Sequence, residues 1–270
     1  MFKTGVQKEF MFFSRSFRMW GVVIAAFAFA LLDPLLIKAT ESLLAGMSEI
    51  DSSLAELEFG EITNMSQMGI ASSIGDLTST LLLILMLVIM YVAGGELKKR
   101  SMIIPQNAGL TPQLYLLPKF LLYPVFGGLL TFAGLLCSWL FSFALYSEVN
   151  VGFSEILLAA LLAAVFQTFM VTLYLTLGLC TAKAGLSVVI VYGGNVLLTA
   201  LFTSLGADKF HPFTLTSQAQ EIIMGEGVDH ANLWGSIGIT LLLIALCYFV
   251  TLFVFSAKRI DNRGVEEINL

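Results

Sequence analysis

Charge is scarce in this chain. Asp, Glu, Lys and Arg make up 12% of its 270 residues, against 57% hydrophobic residues. Ordinary soluble domains carry about twice that charge, so a soluble fold with a charged shell is excluded. Cysteine and histidine are scarcer still, at three and two. Cys137, Cys180 and Cys247 lie in or at the ends of apolar runs. An odd count so placed argues against a disulfide framework or a metal cluster and makes them small apolar fillers. His211 and His230 are too far apart in sequence to argue a metal site and read as loop histidines. Catalytic signatures are missing too. There is no G-x-x-x-x-G-K-[ST] phosphate loop, so ATP hydrolysis by that fold is excluded from this chain. No H-E-x-x-H, no G-x-S-x-G and no pair of intramembrane aspartates marks a protease or hydrolase. The apolar runs hold too few ionisable groups for a proton relay. No inverted pair of interrupted helices marks a secondary transporter. The chain is not expected to be an enzyme.

What is present is six apolar runs, at about 19–37, 74–94, 120–146, 155–180, 186–205 and 233–257. About 20 apolar residues cross a hydrocarbon core of roughly 30 Å as helix. The expected fold is therefore an all-α membrane protein, a single transmembrane domain over 1–270 with six spans. Orientation follows from the cations. Lys3, Lys8, Arg15, Arg18, Lys98, Lys99, Arg100, Lys119, Lys183, Lys258, Arg259 and Arg263 fall on one side, and only Lys38 and Lys209 on the other. Twelve against two predicts both termini in the cytoplasm. Trp20, Trp139 and Trp234 fall near span ends, where indole rings anchor at the interface. The first run continues past Ala25-Ala26-Phe27-Ala28 through Leu31, Leu32, Leu35, Leu36 and Ile37, the length of a span rather than of a signal peptide.

The joints are patterned. Phe2, Val6, Phe10, Phe13 and Phe17 recur at helical spacing, with Lys8, Arg15 and Arg18 directed elsewhere, so residues 1–18 are expected as an interfacial helix on anionic lipid. The outer joint 38–73 is acidic, and Leu43, Met47, Ile50, Leu54 and Leu57 predict an amphipathic helix within it. Segment 206–232 mixes polar residues with Phe210, Phe213, Leu215, Ile222, Ile223 and Met224, a composition that fits a re-entrant broken hairpin.

Polar residues inside the spans are the candidates for a path. Asp33, followed by Pro34, reads as the one acidic residue well within a span, and an intramembrane carboxylate is costly enough to need a reason. Ala160, Ala164, Thr168, Thr172 and Thr176 form an i, i+4 ridge on span four with Gln167 beside it. Asn195, Thr199 and Thr203 repeat that spacing on span five, next to Gly193 and Gly194. Such stripes serve close helix packing; the same stripes would serve as the wall of a translocation path.

The longest inner joint runs from Gly94-Gly95-Glu96 through Lys98-Lys99-Arg100-Ser101 and Pro105 to Ala108-Gly109-Leu110-Thr111-Pro112 and on to Lys119. Its prolines, Gly and Asn bracket helix-sized pieces, and a loop of about 25 residues usually has a task such as docking a partner. This layout resembles the ABC-2 type transporter permeases, the membrane subunits of bacterial ATP-driven exporters. In that family span two ends at a Glu followed by Gly-Thr, then come an apolar stretch, a Pro-Ser-Arg-like turn, and a Gly-Lys that opens span three. Glu96 matches the Glu, Ser101 stands near the Thr, residues 108–112 take the turn, and Lys119 matches the Lys. Arg100 stands where Gly is usual, and Pro118 replaces the Gly before Lys119. The layout matches over nearly the whole chain, the motif only over about 94–119.

The resemblance implies a cytoplasmic coupling helix at about 101–113, with Glu96, Ser101, Ile103, Pro105, Gly109, Thr111 and Lys119 as ATPase-coupling residues. It makes 1–18 an elbow helix and 206–232 an outer re-entrant region. The expected partners are two copies of an ABC ATPase, a second permease half (identical or similar) and membrane lipids, with no nucleic acid. No cofactor is expected in this chain; ATP and Mg would belong to the ATPase. Asp33, Gln167, Thr168, Thr172, Asn195 and Thr199 are the expected path residues, and the bacterial plasma membrane the expected location. Twenty-two Phe and little buried charge favour a hydrophobic or amphipathic cargo: a peptide, an antibiotic or a lipid-like molecule. The competing reading from another class is a stand-alone six-span channel or scaffold without an ATPase.

Overall fold

The computed structural model describes residues 2–50, 65–96, 111–205 and 209–257. Every regular element among them is helical: α1 (Phe2–Arg15), α2 (Phe17–Ile50), α3 (Met65–Thr78), α4 (Thr80–Val88), a π-helical turn (Tyr91–Gly95), α5 (Pro112–Leu145), α6 (Phe153–Thr181), α7 (Ala184–Leu205), α8 (Thr214–Met224) and α9 (His230–Ala257). Six stretches are long and apolar enough to cross a membrane: Phe17–Thr40, Met65–Val88, Pro112–Leu145, Phe153–Thr181, Ala184–Phe202 and His230–Ala257. The expected multi-pass helical architecture is present.

Three boundaries differ from expectation. Helix α2 does not stop near 37 but runs on to Ile50, taking in the first part of the amphipathic helix expected in the outer joint. Residues 51–64, with Leu54 and Leu57, lie outside the described residues. Pro34 sits inside α2; the Tyr146 hydroxyl donates to its carbonyl at 2.8 Å, pinning α2 to the end of α5. Span two begins at Met65, nine residues early, because Ser66, Gln67, Gly69 and Ser73 are buried beside Met65 and Ile70 although they are not apolar side chains. Helix α5 begins at Pro112 rather than near 120. Thr111 caps it, its Oγ1 accepting from Leu114 N at 3.4 Å, and Pro112 takes the first helical position, where a missing N–H costs nothing.

Helix α6 is the centre. It packs against α5, α7, α8 and α9, and buried residues run along it from Ile156 to Leu179. It also comes close to the π turn, where a Cβ on Gly178 would stand 2.6 Å from the Ala93 carbonyl oxygen and one on Gly94 would stand 3.1 Å from the Gly178 carbonyl oxygen. Only glycine fits there. By contrast α7 and α9 present Val189, Leu197, Leu242 and Phe253 outward, the apolar surface a lipid-facing helix carries. A Cβ at Gly193 or Gly194 of α7 would meet nothing within 4 Å, so those glycines do not bring helices together among the described residues.

Segment 206–232 folds, over its described part, as the single short helix α8. Leu215, Ala219, Ile222 and Ile223 are its buried face, and Gln220 Nε2 donates to the Ala71 carbonyl of α3 at 3.1 Å. Gly225, at φ +77°, ends it in the left-handed conformation that glycine adopts without strain; Gly225 N bonds to Ile222 O and Glu226 N to Glu221 O.

Candidate functional site

The most highly charged buried place in the described structure joins three segments distant in sequence. Lys119 sits two turns inside α5 and is 0% exposed. Its Nζ lies 2.9 Å from Glu96 Oε2 and 3.1 Å from Glu9 Oε1. Glu96 comes directly after the π turn at the end of span two, and Glu9 projects from α1; they are 7% and 4% exposed. Tyr115 donates its hydroxyl to Glu96 Oε2 at 3.0 Å, and Tyr123 donates to Glu9 Oε2 at 3.0 Å. Exposed Lys8 approaches Glu9 Oε1 at 3.7 Å. Two cations therefore face two anions, and two phenols donate to them, Tyr115 to the Glu96 oxygen that Lys119 also contacts and Tyr123 to the second oxygen of Glu9.

Local sequence explains each placement. Tyr115, Lys119 and Tyr123 are spaced i, i+4, i+8 and form one stripe of α5. On α1, Val6, Glu9 and Phe13 share a face, and Phe13 packs its ring on Tyr123 and Phe126 at 6.3 and 4.4 Å between centroids. The buried face of α1 is thus not the whole Phe repeat: Phe10 and Phe17 point away from the bundle and are exposed. Trp20 Nε1 donates to the Ser14 carbonyl at 3.2 Å and holds α1 against α2. In the π turn Glu96 N bonds to Tyr91 O, five residues back, instead of to Val92 O. One extra residue in a turn rotates the next side chains by about 100° relative to continuous α-helix, and Glu96 is the first residue beyond it.

Electrostatics decides how this cluster behaves. Burial alone would raise the Glu96 pKa, but the Lys119 ammonium beside it, helped by the Tyr115 hydroxyl, holds it below the ordinary 4.5. Glu96 lies beyond the apolar stretch of its span, which ends at Val88. A lysine with no exposure persists as a cation only when carboxylates offset its lost hydration.

Of the residues expected to couple to an ATPase, Glu96 and Lys119 are in direct contact and Thr111 is the cap of α5. Ser101, Ile103, Pro105 and Gly109 lie outside the described residues. Glu9 is the member that sequence reasoning misses; its signal is a carboxylate at helical spacing between Val6 and Phe13, on an otherwise apolar face.

The expected path residues are dispersed. Thr168 Oγ1 donates to Ala164 O at 2.8 Å and reaches Pro124 O of α5 at 3.4 Å; Thr172 donates to Thr168 O at 2.7 Å. Thr176 continues the ridge and reaches Cys247 O of α9 at 3.4 Å. The ridge is a seam between packed helices. Gln167 is 0% exposed beside Gly127 and makes no hydrogen bond through either amide atom among the described residues. Asn195 is half-buried and Thr199 exposed on α7. Asp33 is 5% exposed, with Oδ2 lacking a hydrogen-bond partner among the described residues, and lies beside Asp76 and Ser73 of α3. This corrects the expectation of a single acidic residue within the spans and of no aspartate pair. Because span two begins at Met65, Asp76 lies well inside it, against α2.

Comparison of the chain with family models, with curated proteins and with solved structures gives no match.

Proposed function

We propose that this chain is the membrane subunit of an ATP-driven exporter of the ABC-2 type, taking its energy from a separate ATPase that docks on a coupling helix at about 101–113. The single observation that carries the reading is the Glu9–Lys119–Glu96 cluster. The joint that holds the coupling helix leaves span two one residue after Glu96 and re-enters α5 two turns before Lys119, so its two ends are tied to each other and to α1. A push on that segment would move α1, the end of span two and α5 together, which is what a device driven from outside the membrane needs. In this reading α1 is the elbow helix on the inner leaflet, α8 the outer re-entrant element, and both termini are cytoplasmic in a bacterial plasma membrane. The working unit pairs two permease halves, identical or similar, with two ATPases that hold ATP and Mg. The cargo is hydrophobic or amphipathic.

The experiment is co-purification of the tagged chain from its native cells in mild detergent, beside a variant with residues 101–113 scrambled. Recovery of an ATPase with the native chain, and its loss from the correctly inserted variant, supports the exporter. If none is recovered under conditions that preserve a known ABC complex, the chain is a stand-alone channel or scaffold, to be tested alone for permeation.

A further inference from the structure

At the end of the bundle remote from Lys119, α8 turns a polar stripe toward the start of α9. Thr214, Ser217, Gln218 and Glu221 have i, i+3, i+4, i+7 spacing, and with Val228, Asp229 and Asn232 they line a cavity of about 320 Å³. The opposite face of α8 holds the apolar residues packed into the bundle, and on the polar stripe Thr214 Oγ1 lies 3.2 Å from Ser236 Oγ of α9. Two features give the cavity a chemical character. Among the described residues its lining includes two carboxylates, Glu221 and Asp229, and no lysine or arginine. Gln218 is 3% exposed, yet neither Oε1 nor Nε2 has a hydrogen-bond partner among the described residues. A buried amide left unpaired costs about 1–3 kcal/mol, and the residue would pack more favourably as leucine if packing were all it did.

We propose that this cavity binds a small organic cation: a protonated amine with an oxygen on the adjoining carbons. The amine donates to Gln218 Oε1 and to the Glu221 and Asp229 carboxylates, and the ligand oxygen accepts from Gln218 Nε2. That pairing uses both halves of the amide, which a bare metal ion would not. Such a group occurs in soluble amino alcohols and in the headgroup of phosphatidylethanolamine. The site stands apart from the exporter reading, since binding here requires no ATPase.

Calorimetric titration of the purified full chain in amine-free detergent is the test, with ethanolamine as probe, ethylene glycol as its uncharged counterpart, and short-chain phosphatidylethanolamine as the lipid arm. Saturable millimolar binding of ethanolamine, absent for ethylene glycol, is expected. Gln218→Leu should weaken it at least about tenfold, the effect of losing one good hydrogen-bonded pair. So should the pair Glu221→Gln with Asp229→Asn. Asp229 accepts from Ala231 N at 3.0 Å at the start of α9, a capping role that Asn also fills, so Asp229→Asn keeps that cap. Thermal unfolding no lower than that of the native chain confirms that each variant is folded. Binding of the lipid but not of free ethanolamine supports the site and assigns its source to the bilayer. No saturable binding of either, or binding unaltered in both variants, overturns the proposal and leaves a hydrated vestibule.

Discussion

The charges around Lys119 and the neutral polar groups elsewhere in the bundle meet burial in opposite ways. Lys119, Glu9 and Glu96 are almost fully enclosed, and every one has an ion-pair or hydrogen-bond partner. Gln167, Gln218, Thr131 and Tyr174 are as deeply enclosed and carry side-chain atoms with no partner among the described residues. The difference is one of scale. An unpaired buried ion costs several kcal/mol even after relaxation, so the fold assembles α1, the π turn and α5 around each other to avoid it. An orphan amide or hydroxyl costs about 1–3 kcal/mol, which a bundle can carry where another use requires it. Saturated charge marks where α1, the π turn and α5 are tied together.

Removing the shared cation should have the largest effect. Lys119→Met leaves two carboxylates facing each other in a closed space and should destabilise the chain by about 3–5 kcal/mol, read by denaturant unfolding in mixed micelles. Adding Glu96→Gln should recover part of that loss, because one of the stranded charges is gone. A cost below about 1 kcal/mol, the level of an exposed pair, would mean that water reaches the cluster and the comparison fails. Next comes Tyr123→Phe, which removes one hydrogen bond to the Glu9 carboxylate and should cost about 1.5–3 kcal/mol, the range for bonds to charged groups. The same unfolding assay checks it. The pH dependence is smaller and has a fixed sign. The folded-state pKa of Glu96 is depressed below 4.5, so its contribution is fully present above that value and is lost as pH falls through the lower folded-state pKa. Thermal unfolding measured from pH 6 to pH 3 should show a steeper loss in the native chain than in Glu96→Gln; equal slopes would detach Glu96 from the stability of the cluster.

Much of this architecture is legible in the chain itself, and the parts that escape do so for identifiable reasons. Six apolar runs correspond to six candidate spans because hydropathy over about 20 residues is a strong, local signal. Glu96 and Lys119 stand out in the sequence, but the Lys119–Glu9 ion pair joins residues more than 100 positions apart along the chain, and no local pattern encodes it. The carboxylate between Val6 and Phe13 is visible as a polar residue on an apolar face. The Phe repeat draws attention away from it, and two of those rings, Phe10 and Phe17, turn outward. Asp76 escapes because the Ser and Gln of 65–73 lower the local hydropathy; burial against α2 and α8, a tertiary effect, makes them part of the span. The π turn has no signature beyond Gly94-Gly95, and those glycines are compatible with an ordinary helix end.

The smallest predicted effect has the opposite sign and tests the comparison from its other side. Gln167 lies 0% exposed against Gly127, with neither amide atom bonded among the described residues. Gln167→Leu exchanges an unsatisfied amide for an apolar group of similar volume, so the resting fold should be unchanged or more stable, by up to about 1–3 kcal/mol. The same exchange at Lys119 destabilises, because there the polar group is what its neighbours require. If the chain is the proposed exporter and Gln167 serves the transported molecule or a second conformation of the bundle, the stabilised variant should also export more slowly. Stabilisation with unaltered export would make Gln167 a tolerated defect in a helix seam, and destabilisation would mean that the amide is bonded in the resting protein after all.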